Sequence, residues 1–356
     1  MKDRSIPALP QKPRLEWLDI AKGIGIFLVV YGHSIAPYNL YAYYFHMPLF
    51  MILSGYLYQP KQSFRTFLWK KICSLYIPYV GWNLIVIGGR LLDGAALGVF
   101  HKMLPGQLTV IRQVFLCVGK DGKYMGATWF LGSLFMISIV YRLVDLIVPK
   151  WKYRQLVILA FFGGAAAFGF LYTLPYMQSR TVILSFFYAL GPVFHEITSL
   201  LRRFSQLVMV FLFDCLFLCL RFVTGPAKMG ENVYGRPPVF ILDAIAGSLF
   251  VILFSMWLEK RRLSLWKVVS VPLRTMGRNS MDILLWQFFG FYVVVLVQLR
   301  LEGQPFRQIL YEKSRYNVSG RWWIAYLAAG ILLPLAWGWV LKHGPWGKLL
   351  KKIHLV

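Results

Sequence analysis

Long apolar runs recur along almost the whole of this sequence. A helix that crosses the hydrocarbon core of a bilayer needs about 20 mostly apolar residues, and ten runs reach that length. Their approximate extents are 17–37, 41–59, 73–92, 127–148, 155–174, 181–200, 204–223, 238–258, 276–299 and 322–341. The sequence therefore predicts an all-α polytopic membrane protein with about ten transmembrane helices.

The composition excludes the other broad classes. Hydrophobic residues make up 58% of the chain and charged residues only 15%, whereas soluble domains carry about 25% charged residues. A chain this apolar is also too hydrophobic to remain disordered. The formal net charge of +25 would suggest a nucleic-acid partner in a soluble protein. Here it indicates basic loops at a membrane surface, and no nucleic acid is expected.

The distribution of basic residues predicts the topology. Cytoplasmic loops of membrane proteins carry an excess of Lys and Arg, and here the excess falls on the side of the N-terminus. Both termini are therefore expected in the cytoplasm, where residues 1–16 and 342–356 form tails of a single membrane-embedded domain, 1–356. The longer connections, at about 93–126, 224–237 and 300–321, are expected on the outside.

The first span holds a group of ionisable residues, which are costly inside a membrane and are therefore candidates for function. Lys22 and His33 are eleven positions apart, which places both on one helix face and about 16 Å apart along the axis. Asp19 precedes Lys22 by three positions and can pair with it. Two interpretations stay open. One is a functional polar stripe, and the other is an interfacial Asp19–Lys22 ion pair with His33 bonded to a neighbouring helix.

A second histidine follows the turn that ends the first span. His46 lies about as far beyond the turn at 37–39 as His33 lies before it, so we expect the two imidazoles at similar depth. Two facing histidines can serve as a proton acceptor and its positioning partner. Ser54 has no acid or base at a telling spacing, and we interpret it as a packing or hydrogen-bonding residue.

Basic and aromatic residues at the ends of other spans each have two interpretations. Lys70 and Lys71 precede the third span, where they suit the phosphates of a cytoplasmic cofactor but equally satisfy the positive-inside rule. Trp129 begins the fourth span and can belong to an interfacial aromatic belt. The four cysteines form no CxxC pair, and no metal site is expected.

Six blocks, taken in their order along the chain, carry a family resemblance. They are LDIAKGIGIFLVVYGH (18–33), FHMPLFMILSGYLY (45–58), FLWKKICSLYIPYVGW (67–82), TWFLGSLF (128–135), NVYGRPPVFILDAIAG (232–247) and MGRNSMDILLWQ (276–287). Together they resemble the integral membrane acyltransferases of family 3, especially polysaccharide O-acetyltransferases such as the fucose O-acetylase-like and nodulation O-acetyltransferase proteins. Lys22 and His33 match the opening family motif, with lysine where arginine is more usual, and Gln287 stands where histidine is common.

The resemblance implies transfer of an acyl group, usually acetyl from acetyl-CoA, to a hydroxyl of a glycan or lipid-linked saccharide at the outer face of a bacterial inner membrane. It implies a catalytic set in which His33 is the general base, while Asp19 and Lys22 hold the mouth of the helix or contact the donor without a direct part in proton transfer. Lys70 and Lys71 are implied as residues that bind the donor. The implied substrate-binding residues are His46, Ser54, Tyr56, Trp129, Tyr234, Asn279 and Ser280. The alternative is a transporter or flippase for a lipid-linked sugar, which would also use intramembrane charges.

Overall fold

The computed structural model describes residues 15–59, 61–96, 98–118, 126–201, 204, 206–261, 263–303 and 320–356. Most of the predicted tail 1–16 and of the predicted loop 300–321 lies outside these residues. Its helices are α1 Glu16–His33, α2 His46–Tyr56, α3 Phe64–Lys71, α4 Ile77–Ala96, α5 Phe100–Phe115, α6 Trp129–Ile147, α7 Arg154–Leu171, α8 Gln178–Leu201, α9 Gln206–Thr224, α10 Pro237–Glu259, α11 Ser264–Arg278, α12 Ser280–Leu301, α13 Trp323–His343 and α14 Gly347–Lys352. A π-helical turn, Ile72–Tyr76, joins α3 to α4.

Eight helical segments of the described chain are long and apolar enough to cross a membrane. One comprises α3, the π-helical turn and α4, and the others contain α6, α7, α8, α9, α10, α12 and α13. They correspond to predicted spans three to ten, which confirms an all-α, multi-pass membrane protein. Within the described residues the strands form a single short hairpin, in which β1 (Ala227–Lys228) pairs antiparallel with β2 (Val233–Tyr234).

The first two predicted spans differ from the other eight. Helix α1 has 18 residues but carries Glu16, Asp19 and Lys22. The predicted span 41–59 is instead a 3-10 helix, Asn39–Tyr44, followed by the eleven-residue α2. Eleven residues rise about 16 Å, which is about half the hydrocarbon thickness. The chain bends because Tyr38 adopts a left-handed conformation (φ 56°) and Phe45 is non-helical (φ −139°), so hydrophobicity alone gave the wrong extent.

Two amphipathic helices fall in segments that the sequence left as connections. Helix α5 lies within the predicted loop 93–126, and α11 lies between the eighth and ninth predicted spans. The predicted span 276–299 is divided, because α11 ends at Arg278, α12 begins at Ser280 and Asn279 separates them. Helix α11 packs along α1, where Arg274 forms an ion pair with Glu16 at 2.7 Å.

Glycines allow some helices to meet backbone to backbone, as is common among membrane helices. A Cβ atom at Gly277 of α11 would overlap the carbonyl oxygen of Asp19 in α1. Gly55 of α2 and Gly191 of α8 face each other in the same way. Burial separates central from peripheral helices. In the apolar 18-residue stretch of α10, 67% of the residues are buried, whereas in that of α9 only 11% are buried. Helices α1, α2, α8 and α10 therefore form the centre that positions the site.

Candidate functional site

His33 is the last residue of α1. Its Nδ1 atom lies 2.7 Å from the carbonyl oxygen of Val29, one turn earlier in the same helix. Because a carbonyl oxygen only accepts, Nδ1 carries a proton, and in the neutral ring Nε2 is then the basic nitrogen. The ring of Phe288 in α12 meets the imidazole edge-on, with 5.2 Å between ring centroids. The half-buried His33 is therefore held in one orientation by its own helix and by α12.

His46 begins α2 and is 2% exposed. Its Nδ1 atom is hydrogen-bonded to the carbonyl oxygen of Ala42. The ring of Tyr43 lies 5.4 Å from that of His46 and 6.1 Å from that of His33, so one phenol contacts both imidazoles. The Tyr43 hydroxyl donates to the carbonyl oxygen of Gly32 at 2.8 Å. Sequence reasoning paired the two histidines but missed the tyrosine between them, which lies in the aromatic run YAYYF.

The hairpin of β1 and β2 supplies a cation beside the histidines. The Nζ atom of Lys228 lies 6.0 Å from the centroid of the Tyr43 ring, and its charge is close enough to act on His33. Lys228 also pairs with Glu231 at 3.0 Å on the protein surface. Sequence analysis did not single out Lys228, because one lysine among many in the basic loops has no distinguishing pattern.

Arg180 fastens this hairpin to the helices. It is 2% exposed, it donates to the carbonyl oxygen of Gly230 at 2.8 Å, and its guanidinium lies 4.0 Å above the ring of Trp129. Trp129 thus contacts a buried cation at the start of α6. Tyr234 packs on Phe170 and donates its hydroxyl to a neighbouring residue of its own hairpin. Burial raises the pKa of Tyr234 above its usual range, so the phenol stays protonated.

A cavity of about 200 Å³ lies between α1, α2, α6 and α12. Its polar lining consists of Lys22, Ser54 and Ser280, and the rest of the lining is apolar. The Ser54 hydroxyl donates to a carbonyl oxygen of its own helix at 2.7 Å, which agrees with the hydrogen-bonding interpretation. Met47, the residue after His46, also lines this cavity. The cavity, called the first cavity below, therefore extends from Lys22 to the start of α2.

The end of the first cavity at Lys22 is strongly basic. Lys71 lies close enough to Lys22 for the two positive charges to interact, and its Nζ atom lies 5.6 Å from the centroid of the Phe67 ring. Lys70 is exposed beside it. Asp19 is 3% exposed and accepts a hydrogen bond from Nε of Arg278 at 3.1 Å, a partner that sequence spacing did not indicate.

The remaining two predicted substrate residues lie away from the first cavity. Asn279 donates its side-chain amide to the carbonyl oxygen of Thr275 at the end of α11. Tyr56 packs edge-on against Trp17 at 5.2 Å and lies 4.9 Å from the ring of His195, in a separate cavity. In the described part of the chain, no group of three or more His, Cys, Asp or Glu side chains is arranged to hold a metal ion.

The structure thus places the lysines Lys22 and Lys71 towards one end of α1 and His33 at its other end. Comparison with protein families identifies the class. The family described as Acyltransferase domain matches residues 15–343, so the chain belongs to this acyltransferase family and is a membrane acyltransferase.

Two curated relatives are similar to parts of the chain. Nodulation protein NolL of Mesorhizobium japonicum is 26% identical over 224 residues, which cover 56% of this chain and 54% of the relative. Nodulation protein NolL of Sinorhizobium fredii is 30% identical over 152 residues, which cover 37% of this chain and 38% of the relative. The matched stretches thus span about half of the relatives' lengths or less. No solved structure matches the chain significantly.

Proposed function

We propose that the protein is an O-acetyltransferase of the bacterial inner membrane, which transfers acetyl from cytoplasmic acetyl-CoA to a hydroxyl of a glycan or lipid-linked saccharide at the outer face. The observation that carries the proposal is the placement of His33, whose Nε2 is its basic nitrogen, on the same helix as Lys22 of the first cavity. Family membership supports acyl transfer. The donor, the acceptor and the base are the proposed parts.

The proposed reaction uses His33 as a general base. Its Nε2 removes the proton of the acceptor hydroxyl while the oxygen attacks the thioester carbonyl. The carbon–sulfur bond then breaks, CoA leaves as the thiolate, and the imidazolium returns the proton to that sulfur. Tyr43 and His46 act as positioning residues, because the Tyr43 ring contacts both imidazoles and its hydroxyl is bonded to the backbone before His33.

The donor would enter from the basic mouth of the first cavity. Lys22, Lys70 and Lys71 supply positive charge for its phosphates, and the apolar lining between α1, α2, α6 and α12 suits the uncharged arm that carries the thioester. Lys22 and His33 are about 16 Å apart along the helix, so the arm must follow α1 to reach the base. Asp19 orients the mouth through its ion pair with Arg278.

The acceptor would bind under the hairpin of β1 and β2. Trp129 offers an aromatic face of the kind that packs on sugars, and Lys228 offers a cation next to the proposed base. Ser54 and Ser280 line the donor path instead, so we assign them to the donor. Lys228 favours an acceptor that carries a negative charge near the reacting hydroxyl.

The test is release of CoA thiol from acetyl-CoA by purified protein, with membrane glycolipid extract as acceptor. We expect release that depends on the extract and falls about 10²- to 10⁴-fold in His33→Ala. His101→Ala is the matched control, because His101 is exposed on α5. Wild-type rates in His33→Ala would overturn the assignment of the base. The alternative transporter or flippase predicts movement of the lipid-linked sugar across proteoliposomes without any cleavage of the thioester.

A further inference from the structure

A second cavity, of about 290 Å³, lies where α2 and α8 end, where α6 ends and where α7 begins. By the predicted topology all four of these ends face the cytoplasm. The second cavity is close to the first but distinct from it. Ser54 lines the first cavity, whereas the next two residues of α2, Gly55 and Tyr56, line the second.

The lining of the second cavity combines three tyrosines with polar and charged side chains. Tyr58 packs edge-on against Tyr141 at 4.9 Å, and the Tyr56 ring lies 4.9 Å from that of His195. Polar side chains stand beside these rings, among them Glu196 and Gln155, whose Nε2 donates to the carbonyl oxygen of Ala189 at 3.2 Å. A planar heterocycle that both donates and accepts hydrogen bonds fits this combination, because aromatic faces stack on such rings.

The charges of the second cavity do not favour a phosphate. Asp145 and Glu196 line it together with Arg154, and the Arg154 guanidinium is already paired with Asp145 at 2.5 Å. The second cavity thus contains two carboxylates and one cation that is already paired. Its charges therefore favour an uncharged ring over an anion. His195 and Glu196 are exposed, which leaves the second cavity open to the aqueous side.

A short chain of contacts connects the second cavity to the lysines of the first. The ring of Phe67 lies 5.9 Å from that of Tyr58, and the Nζ atom of Lys71 lies 5.6 Å from the Phe67 ring. Lys71 in turn lies near Lys22 at the mouth of the first cavity. The aromatic second cavity, a basic site and an apolar path therefore follow one another in space.

We infer that the second cavity binds the adenine base of the CoA donor, with Tyr56 and His195 stacked against it. This order of sites matches the order of groups in acetyl-CoA, which are a base, phosphates, an uncharged arm and a thioester. The inference rests on the proposed function, since it assumes a CoA donor. It also gives Tyr56, predicted from sequence as a substrate-binding residue, a role in binding the donor rather than the acceptor.

The experiment compares two donors, acetyl-CoA and acetyl-pantetheine, in the full-length protein. Acetyl-pantetheine carries the thioester arm but no base. In Tyr56→Ala we expect the KM for acetyl-CoA to rise roughly tenfold, and the KM for acetyl-pantetheine to stay at its wild-type value. Tyr56→Phe keeps the ring, so its KM for acetyl-CoA should lie closer to the wild-type value than that of Tyr56→Ala. Tyr153→Ala, an exposed tyrosine beside α7, is the matched control and should change neither KM.

His195→Ala tests the same contact without risk to folding, because this side chain is exposed. It should raise the KM for acetyl-CoA selectively, as Tyr56→Ala does. Equal changes for both donors, or no change for either, would overturn the adenine assignment while leaving the acetyltransferase proposal standing. Cleavage of neither donor by the wild-type protein would overturn the proposed function, and the adenine assignment with it.

Discussion

Replacing Asp145 with alanine is expected to destabilise the protein by about 3–5 kcal/mol, the usual result of removing one partner from a buried ion pair. Asp145 is 5% exposed and accepts hydrogen bonds from Arg142 at 3.0 Å and from Tyr58 at 2.5 Å, in addition to its ion pair with Arg154 at 2.5 Å. Burial, followed by the bond to Asp145, raises the pKa of Tyr58 above its usual range, so this phenol is a donor. Alanine would remove the carboxylate from Arg142, which is 4% exposed.

The chain contains a matched control for this experiment. Lys228 and Glu231 are also three positions apart and also 3.0 Å from each other, but their side chains are 41% and 64% exposed. The side chains of Arg142 and Asp145 are 5% and 4% exposed. Exposed pairs contribute about 0–1 kcal/mol, so Glu231→Ala should have little effect. The two pairs share their spacing and distance and differ in burial, in residue type and in the additional bonds of Asp145 to Tyr58 and Arg154.

The assay is thermal unfolding in detergent, followed by a thiol-reactive dye that reports exposure of the buried Cys117. From the per-residue unfolding entropy of globular proteins, about 4 kcal/mol corresponds to a fall in Tm of roughly 5 °C for a chain of this length. Asp145→Asn keeps the shape and should lie between alanine and wild type. Similar Tm values for Asp145→Ala and Glu231→Ala would refute the argument that burial makes Asp145 important.

Two further substitutions test other contacts. Gly277→Ala introduces a methyl group against the carbonyl of Asp19 and should lower the Tm by an amount equivalent to about 1–3 kcal/mol. The control Gly106→Ala, with open space around it, should leave the Tm unchanged or raised. Equal effects of the two substitutions would contradict the close contact of α1 and α11. Phe288→Ala removes the ring beside His33 and should admit water to the site, so hydrolysis of the donor should raise the ratio of acetate to acetylated acceptor. An unchanged ratio would show that this ring does not exclude water.

The spans were predictable wherever composition alone decides structure. Spans three to ten are long and predominantly apolar, and a bilayer-crossing helix is the structure that satisfies the backbone hydrogen bonds of such runs. Composition does not reveal where the backbone turns. Tyr38 and Phe45 break the helix by their conformations, although neither residue type signals a break, and the predicted span 41–59 became the shorter α2. Helix α11 was missed because only one of its faces is apolar.

The same distinction decides which parts of the candidate site could be predicted. Residues within one helix could be related from sequence, because helical geometry fixes Lys22 and His33 on one face. Contacts between different helices could not be predicted from the sequence. No pattern indicated that Asp19 would meet Arg278, because the two are 259 positions apart. Tyr56 was predicted as a substrate-binding residue together with Ser54, yet a spacing of two positions points the two side chains in different directions around α2.

The partners of α1 have a consequence for how the protein is made. Glu16 and Asp19 are bonded to Arg274 and Arg278, and both arginines lie more than 250 positions later in the chain. At about 5–20 residues per second, the ribosome needs roughly 10–50 s to produce them. Throughout that time a helix with three charges must wait at the membrane without the neighbours that neutralise it. Helix α1 is synthesised long before these partners and should thus be among the last helices to settle, and insertion machinery that shelters a polar helix should control the yield of this protein.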